Sequence, residues 1–419
     1  MPGKLRTRTI RMLFVSMAIG LAIRLAVIPF VYREWLDPFV LDHWAFGRVA
    51  RSLASGHGFG NTFANTGASA LMPPVYAFVL ATIFRIFGTY SIASIFAAAA
   101  LNSLISVLTC VPVFFIALSA FGERTARWSV WAWALSPYGI YYSSDWLWST
   151  CLVTFLLALL FLISMRLESS PSPLGWAGFG MLTGLAALTE PVVLAVAPLI
   201  AALSCYRLRR AGKPWLTPGI VAALAAMLVL SPWIVRNYRA FHRLIPIRDG
   251  FGLELYLGNN GYSERWVDSS LHPNHNDAEL NEYAQSGELA YMDHKQRQAL
   301  SYIRAHMGWF AAMTLRRAIY MWTGFWSFDK AYLSEEPLDP PNILVATTLT
   351  LLAFAGLAVA FREGNRSAPR FALTLLFFPL AYYVSHPETY YLRPLDPPIA
   401  ILGMFAAIRF AERRRTVHG

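Results

Sequence analysis

"MPGKLRTRTIRMLFVSMAIGLAIRLAVIPFVY" (residues 1–32) decides the class of this chain. A basic head leads into an apolar run longer than a signal-peptide core, and no small-residue cleavage site precedes Asp37. We expect an uncleaved first membrane span. The whole chain agrees: of 419 residues 56% are hydrophobic and 14% charged, and the mean hydropathy is +0.44. Such a chain is too apolar to be soluble and too long for one anchor, so an all-α polytopic membrane protein is expected. The net charge of +11 does not imply a nucleic-acid partner, because the basic residues sit in short clusters between apolar stretches rather than on one face. Cys110, Cys151 and Cys205 lie in or at the end of apolar stretches without paired or metal-like spacing, and read as core or lipid-facing residues.

Runs of suitable length give about ten spans, at 10–32, 92–120, 127–142, 147–166, 174–189, 191–206, 217–238, 342–361, 371–384 and 394–412. Two further stretches carry arginines inside the apolar run: "MPPVYAFVLATIFRIFG" (72–88) and "WFAAMTLRRAIYMWTGFWSF" (309–328). The tendency of Lys and Arg to stay cytoplasmic arbitrates. If neither stretch spans, every dense basic cluster falls inside: Lys4 to Arg11, Arg124 and Arg127, Arg207 to Lys213, Arg362 to Arg370, and Arg413 to Arg415. If both span, "RLRRAGK" is pushed outside with no acid to offset it. We therefore expect both termini in the cytoplasm and two amphipathic helices on the outer side, their arginines reaching the headgroups. A transmembrane module with its first outer loop (1–238, loop 33–91), a large outer loop (239–341) and C-terminal helices with a basic tail (342–419) follow from this division.

That topology gathers acids on the outer face: Asp42 in "FVLDHWAFGRVARSLASGHGFG" (39–60), Asp145, Glu190 and Glu388, with Arg236 and Arg393 at the same level. Any one could be an inter-helix pairing; ionisable groups gathered at membrane depth form a functional hypothesis. A sugar carried on polyprenyl phosphate needs this set. Its tail lies in lipid, arginines hold the phosphate, and one carboxylate takes the proton of an acceptor hydroxyl. The phosphate leaves without a general acid, unlike the leaving group in glycoside hydrolysis. "HPNHND" (272–277) has His272, His275 and Asp277 at a spacing that could hold a metal, but reads better as a polar turn. Arg24 lies mid-span, where a salt bridge, a polar cavity or a donor contact would each suit it.

The segments "LDHWAFGRVARSLASGHGFG", "MPPVYAFVLATIFRIFG", "SPYGIYYSSD", "GLAALTEP", "SPWIVRNYRAFHRLIPIRDGFGLELYLGNN" and "ETYYLRPLDPPIAIL" resemble, in order, the bacterial relatives of dolichyl-phosphate-mannose protein mannosyltransferases. This group includes the lipid A aminoarabinose transferase, within the C-type membrane glycosyltransferases. The resemblance implies that fold, a lipid-phosphate sugar donor, inversion at the anomeric carbon, and an acid in the first outer loop as catalytic base, a position Asp42 matches. Asp145 matches a second acidic position and completes the candidate catalytic pair. Arg236, Asn237 and Tyr238 match an Arg-Asn-Tyr at a span end, and Gly258 with Asn259 a Gly-Asn pair. Together with His43, Glu190, Glu388, Tyr390 and Arg393, the residues Arg236 to Tyr238 and Asn259 are candidates for substrate binding. The chain departs from the pattern where His43 replaces a second acid, Glu190 stands for the Arg of Leu-Thr-Arg-Pro, and Tyr390 to Arg393 replace an Arg-Tyr-Arg. The expected partners are a polyprenyl-phosphate sugar, membrane lipid and a protein, lipid or glycan acceptor; no cofactor and no obligatory metal are expected. A flippase of lipid-linked glycans, or a non-catalytic family member, is the alternative.

Overall fold

The computed structural model describes residues 7–168, 172–262, 269–327, 330–335 and 339–418, apart from the side chains of Asp42, Ser269, Ala331, Tyr332, Glu335 and residues 415–418. Lys4 and Arg6 of the first basic cluster thus lie outside the described residues. The chain is helical, and among the described residues the only β-pairing is an isolated bridge between Gly60 and Ala68.

In chain order the helices are α1 (Thr7–Val31), α2 (Pro38–His43), α3 (Ala45–Ala54), α4 (Pro74–Phe87), α5 (Ile92–Leu108), α6 (Cys110–Phe121), α7 (Glu123–Ala134), α8 (Pro137–Ser144), α9 (Thr150–Leu167), α10 (Pro173–Thr189) and α11 (Ala197–Arg210). They continue as α12 (Leu216–Phe241), α13 (Phe251–Gly258), α14 (Asp277–Ser286), α15 (Glu288–Ala305), α16 (Met307–Thr323), α17 (Lys330–Glu335), α18 (Asp339–Arg362), α19 (Ala368–Phe377), α20 (Leu380–Val384) and α21 (Asp396–His418).

Among the described residues, seven segments are long and apolar enough to cross a membrane: Thr7–Leu36, Ile92–Phe121, Thr150–Leu167, Pro191–Arg210, Leu216–Phe241, Asp339–Arg362 and Arg393–Arg414. The other three expected spans are helical but short or broken. The stretch 127–142 divides between α7 and α8, where the Ser136 side chain caps Gly139 N–H and Pro137 starts the new helix. The stretch 371–384 breaks at Pro379 between α19 and α20, and α10 has 17 residues. Helix α4, with 14 residues and a length of roughly 21 Å, is too short to cross a bilayer core.

The helix ends sort as the charge pattern requires. At one end Thr9 donates to Glu123, Arg124 pairs with Glu412 at 2.8 Å, and Arg409 pairs with Glu363 at 2.8 Å. At the same end Asn365 donates to the Ala120 carbonyl, and Glu168 takes Arg207 and Arg370 together. The loops after α1, α8, α10 and α12 collect at the other end.

The arginines of the two amphipathic stretches behave differently from each other. Arg85 is exposed and donates to the Leu53 carbonyl at 3.0 Å. Arg317 does not reach outward: it is 0% exposed and donates to the Gly258 carbonyl, Asn259 Oδ1 and the Val384 carbonyl. A guanidinium that finds three oxygens inside is held there in preference to snorkelling. Arg24 likewise meets no acid; it donates to Ser106 Oγ and to the Gly20, Ala134 and Trp133 carbonyls.

Small residues set the helix spacing. A Cβ added at Gly180 in α10 would stand 2.1 Å from the Ala222 carbonyl oxygen of α12, and one at Gly356 in α18 2.1 Å from that of Leu402 in α21. Gly180→Val should force α10 from α12 and cost about 1–3 kcal/mol, read as a lower Tm of the detergent-solubilised protein. Gly178→Ala, on the open face of the same helix, should leave the Tm unchanged.

Candidate active site

A cavity of about 640 Å³ opens at the loop end of the bundle, a size suited to a sugar with part of its carrier. Four parts of the chain wall it, together with Trp148 from the loop after α8. The first loop gives His43, Phe46, Phe63 and Leu71 to Pro73; the turn after α10 gives Glu190 to Val192. The large loop gives Arg248, Phe251, Leu253, Glu254, Leu257 and the His272–His275 turn. The segment between α20 and α21 gives His386, Glu388, Tyr390 and Tyr391.

Each wall has a local cause. Asp37 caps α2 by accepting from Phe39 N–H at 2.8 Å, and Pro38 pre-sets the first turn. Helix α2 thus ends on His43, whose Nδ1 meets the Phe39 carbonyl at 2.5 Å and whose ring stacks on His275 at 4.9 Å and 8°. Asn274 Nδ2 donates to the His43 carbonyl at 3.0 Å, which ties the large loop to the first. His43 does not stack on Trp44, which packs edge-on against Trp35. The "HPNHND" segment is a turn in which His272 Nδ1 accepts from Asn274 N–H at 3.1 Å, followed by the Asn276 cap of α14.

The polar heart of the cavity is Glu254. Its two carboxylate oxygens accept from Arg248 Nη2 at 2.7 Å and His386 Nε2 at 2.6 Å. Burial alone would push this carboxyl up; the His386 hydrogen bond and the Arg248 guanidinium outweigh it and hold the group well below the usual range. Burial would lower His386, but Glu254 raises it overall. The Arg248 Nε and His386 Nδ1 atoms are buried without a hydrogen-bond partner among the described residues. Glu190 is pushed up to about 7 by burial, with Arg248 opposing and Glu254 adding to the rise. Burial also raises Glu388 and lowers His272 to about 4.

Of the residues singled out in the sequence, His43, Glu190, Glu388 and Tyr390 line this cavity. Asp42 directly precedes His43 in α2; its side chain lies outside the described residues. The others stand behind the walls. Asp145 sits in a loop stitched by Trp35 Nε1 to its own carbonyl at 2.5 Å and by Asn102 to the Trp146 carbonyl at 3.3 Å. Its carboxyl is raised to about 6 by burial and then by Glu34. Arg236 grips the first loop through the Ser69 and Phe59 carbonyls. Asn237 donates to the Ile245 and Ile247 carbonyls, and Tyr238 is 55% exposed. Asn259 donates to the Leu255 and Val384 carbonyls. Arg393 lies over the Tyr138 ring at 3.9 Å with Asp396 at 3.4 Å. The cation inside the cavity is therefore Arg248, which the sequence reading passed over together with Glu254 and His386. One signal was present: Glu254 is the sole charge in the apolar octamer "FGLELYLG" (251–258) and so called for a partner.

Glu254→Gln tests this arrangement. The Glu254 contribution is full above the ordinary glutamate range and lost below it, and the His386 contribution is full below the ordinary histidine range and lost as pH rises above it. The variant should therefore lose Tm, by about 1–3 kcal/mol of stability. The gap to the wild type should be widest near pH 5–6 and narrow both as the pH falls below about 4.5 and as it rises above about 6.5.

Residues 72–235 match the family described as dolichyl-phosphate-mannose-protein mannosyltransferase. No curated protein sequence matches. Among solved structures, the Archaeoglobus fulgidus oligosaccharyltransferase tethered to an acceptor peptide aligns with a TM-score of 0.50 at 12% identity, covering 97% of this chain and 50% of that one. The chain thus spans about half the length of that relative. ArnT from Cupriavidus metallidurans bound to undecaprenyl phosphate aligns at 0.45 with 13% identity, over 95% and 78% of the two chains. Residues 72–235 thus match the model of that family, and the chain shares the all-helical fold of the archaeal oligosaccharyltransferase.

Proposed function

We propose that the protein transfers a sugar from a polyprenyl-phosphate donor to an acceptor hydroxyl, with inversion, on the outer face of the membrane, both termini being cytoplasmic. The observation that carries this reading is the cavity itself: apolar and aromatic walls surround one guanidinium, Arg248, whose side chain stays 24% exposed. A prenyl chain would run from the apolar wall at Leu71 to Pro73 and Val192 into lipid, and the phosphate would meet Arg248. The family matched by residues 72–235 takes its sugar from a dolichyl phosphate by name.

In the reaction Asp42 takes the proton of the acceptor hydroxyl, whose oxygen attacks the anomeric carbon from the face opposite the phosphate. The C–O bond to phosphorus breaks, its electrons leave with the phosphate, and Arg248 meets the charge that develops there. A phosphate monoester leaves as a weak base, with a second pKa of about 6, so no general acid is needed. Asp145, behind the Trp146–Trp148 loop, acts on the site only through the position of that loop. The aromatic face of Tyr390, 5.0 Å from Trp146, suits stacking on a sugar ring.

Purified protein in nanodiscs, given radiolabelled polyprenyl-phosphate sugars and a membrane extract as acceptor source, should transfer label from one donor. Asp42→Asn should cut that transfer by about 10²–10⁴-fold while still binding donor. Undiminished transfer by the variant would remove Asp42 from the role of base. A chain that binds donor and never transfers would be a non-catalytic relative.

A further inference from the structure

Glu190 stands where relatives place an arginine, in the cavity that the donor reading gives to a phosphate. A carboxylate there looks self-defeating, because it would repel the donor. Its surroundings give it a different form. Glu190 is the C-terminal cap of α10, so the negative end of a 17-residue helix faces it. Its backbone N–H is satisfied by the Ala186 carbonyl. Beside it in the wall stand Pro191, Val192 and Ala195, whose side chains offer no donor. The charged and titratable groups facing it are Arg248 and Glu254 from the large loop and Tyr382 and Tyr390 from the segments before α21. His386 and Glu388 lie beyond them in the same cavity. Of these only Arg248 favours a negative Glu190, and its Nη2 is already committed to Glu254.

We infer that Glu190 binds the donor as an uncharged carboxylic acid, giving its O–H to a phosphate oxygen beside Arg248, so that donor binding draws a proton onto Glu190. The inference rests on the donor reading above. When the phosphate meets the partly exposed Arg248 side chain, the one cation that favoured an ionised Glu190 is neutralised and a new anion arrives next to it. Both changes hold the proton on the acid. A neutral carboxylic acid then does for the phosphate what a neutral hydrogen-bond donor can do, and the missing arginine is replaced by an acid that works only when protonated. With burial placing the free Glu190 at about 7, the free enzyme is half-protonated near neutrality. Affinity should therefore be flat below that pH and fall above it, by up to tenfold per pH unit.

The test is isothermal titration of nanodisc-embedded protein with undecaprenyl methyl phosphate, a diester whose single charge does not change between pH 5 and 9. The wild type should bind about tenfold more weakly at pH 8 than at pH 6. At pH 8, heats in buffers of different ionisation enthalpy should show close to one proton taken up per ligand bound. Glu190→Gln, whose amide donates without titrating, should bind with no pH dependence over this range. A flat wild-type profile, no proton uptake, affinity that rises with pH, or a slope that survives in the Gln variant would each overturn the role of Glu190. Absence of binding by the wild type at every pH would overturn the polyprenyl-phosphate reading itself, and the inference with it.

Discussion

The bridge from Arg248 through Glu254 to His386 is the contact on which the site depends. Its three residues come from the strand of loop before α13, from α13 itself, and from the turn before α21, so one carboxylate fixes the large loop to the C-terminal helices. Arg317 repeats the tie from α16, clamping the carbonyls of Gly258 and Val384. Gly258 permits this closeness, since a Cβ there would meet the Ser385 carbonyl at 1.9 Å. Charged groups buried this way are costly to bring out of water and more costly to leave single, so the loop docks in one arrangement. The cavity is the space left beneath that docking.

The membrane part supplies the frame. Helix ends rich in arginine are crosslinked at one pole through Glu168, Glu363 and Glu412, and the opposite pole is free to hold polar loops. Small residues such as Gly180 and Gly356 bring neighbouring backbones into contact, where dispersion and not the hydrophobic effect holds helices in lipid. This rigid floor carries the turn after α10, which presents Glu190, and α2, which presents His43 beside Asp42.

Much of the fold was legible because it depends on local quantities. Apolar run length and the distribution of arginines are properties of short windows, whereas the breaks at Pro137 and Pro379 inside the expected spans 127–142 and 371–384 were not read. Interfacial placement of α4 was expected from the distribution of Lys and Arg, and its 14 residues are too few to cross a bilayer core. The site was legible only in part. Glu190 and Glu388 stood out as acids near span ends, and His43 and Tyr390 as departures from the pattern the chain resembles. Arg248 and Glu254 lie in a stretch of ordinary soluble composition, and His386 is 132 residues from its partner. No window of sequence contains such a pairing. Arg236 and Arg393 drew attention as arginines at span ends, yet the carbonyls of Ser69 and Phe59 and the Tyr138 ring take them up. An arginine in sequence shows a charge; which oxygens answer it is decided by tertiary packing.

The relocation of charge is the feature that separates this chain from the pattern it resembles. Glu190 follows α10 into the cavity, and a cation enters the same cavity from the large loop as Arg248. The central claim is that this cavity receives the phosphate end of a polyprenyl-linked sugar. Photocrosslinking tests it most directly: a polyprenyl phosphodiester with a diazirine on the isoprene next to phosphorus, irradiated with the protein in nanodiscs and mapped by peptide mass spectrometry. The account predicts label on the cavity walls at Leu71–Pro73, Val192–Ala195 and Leu253–Leu257, displaced by excess unlabelled diester. Label spread over the lipid-facing sides of α12 and α18, and not displaced, would contradict it.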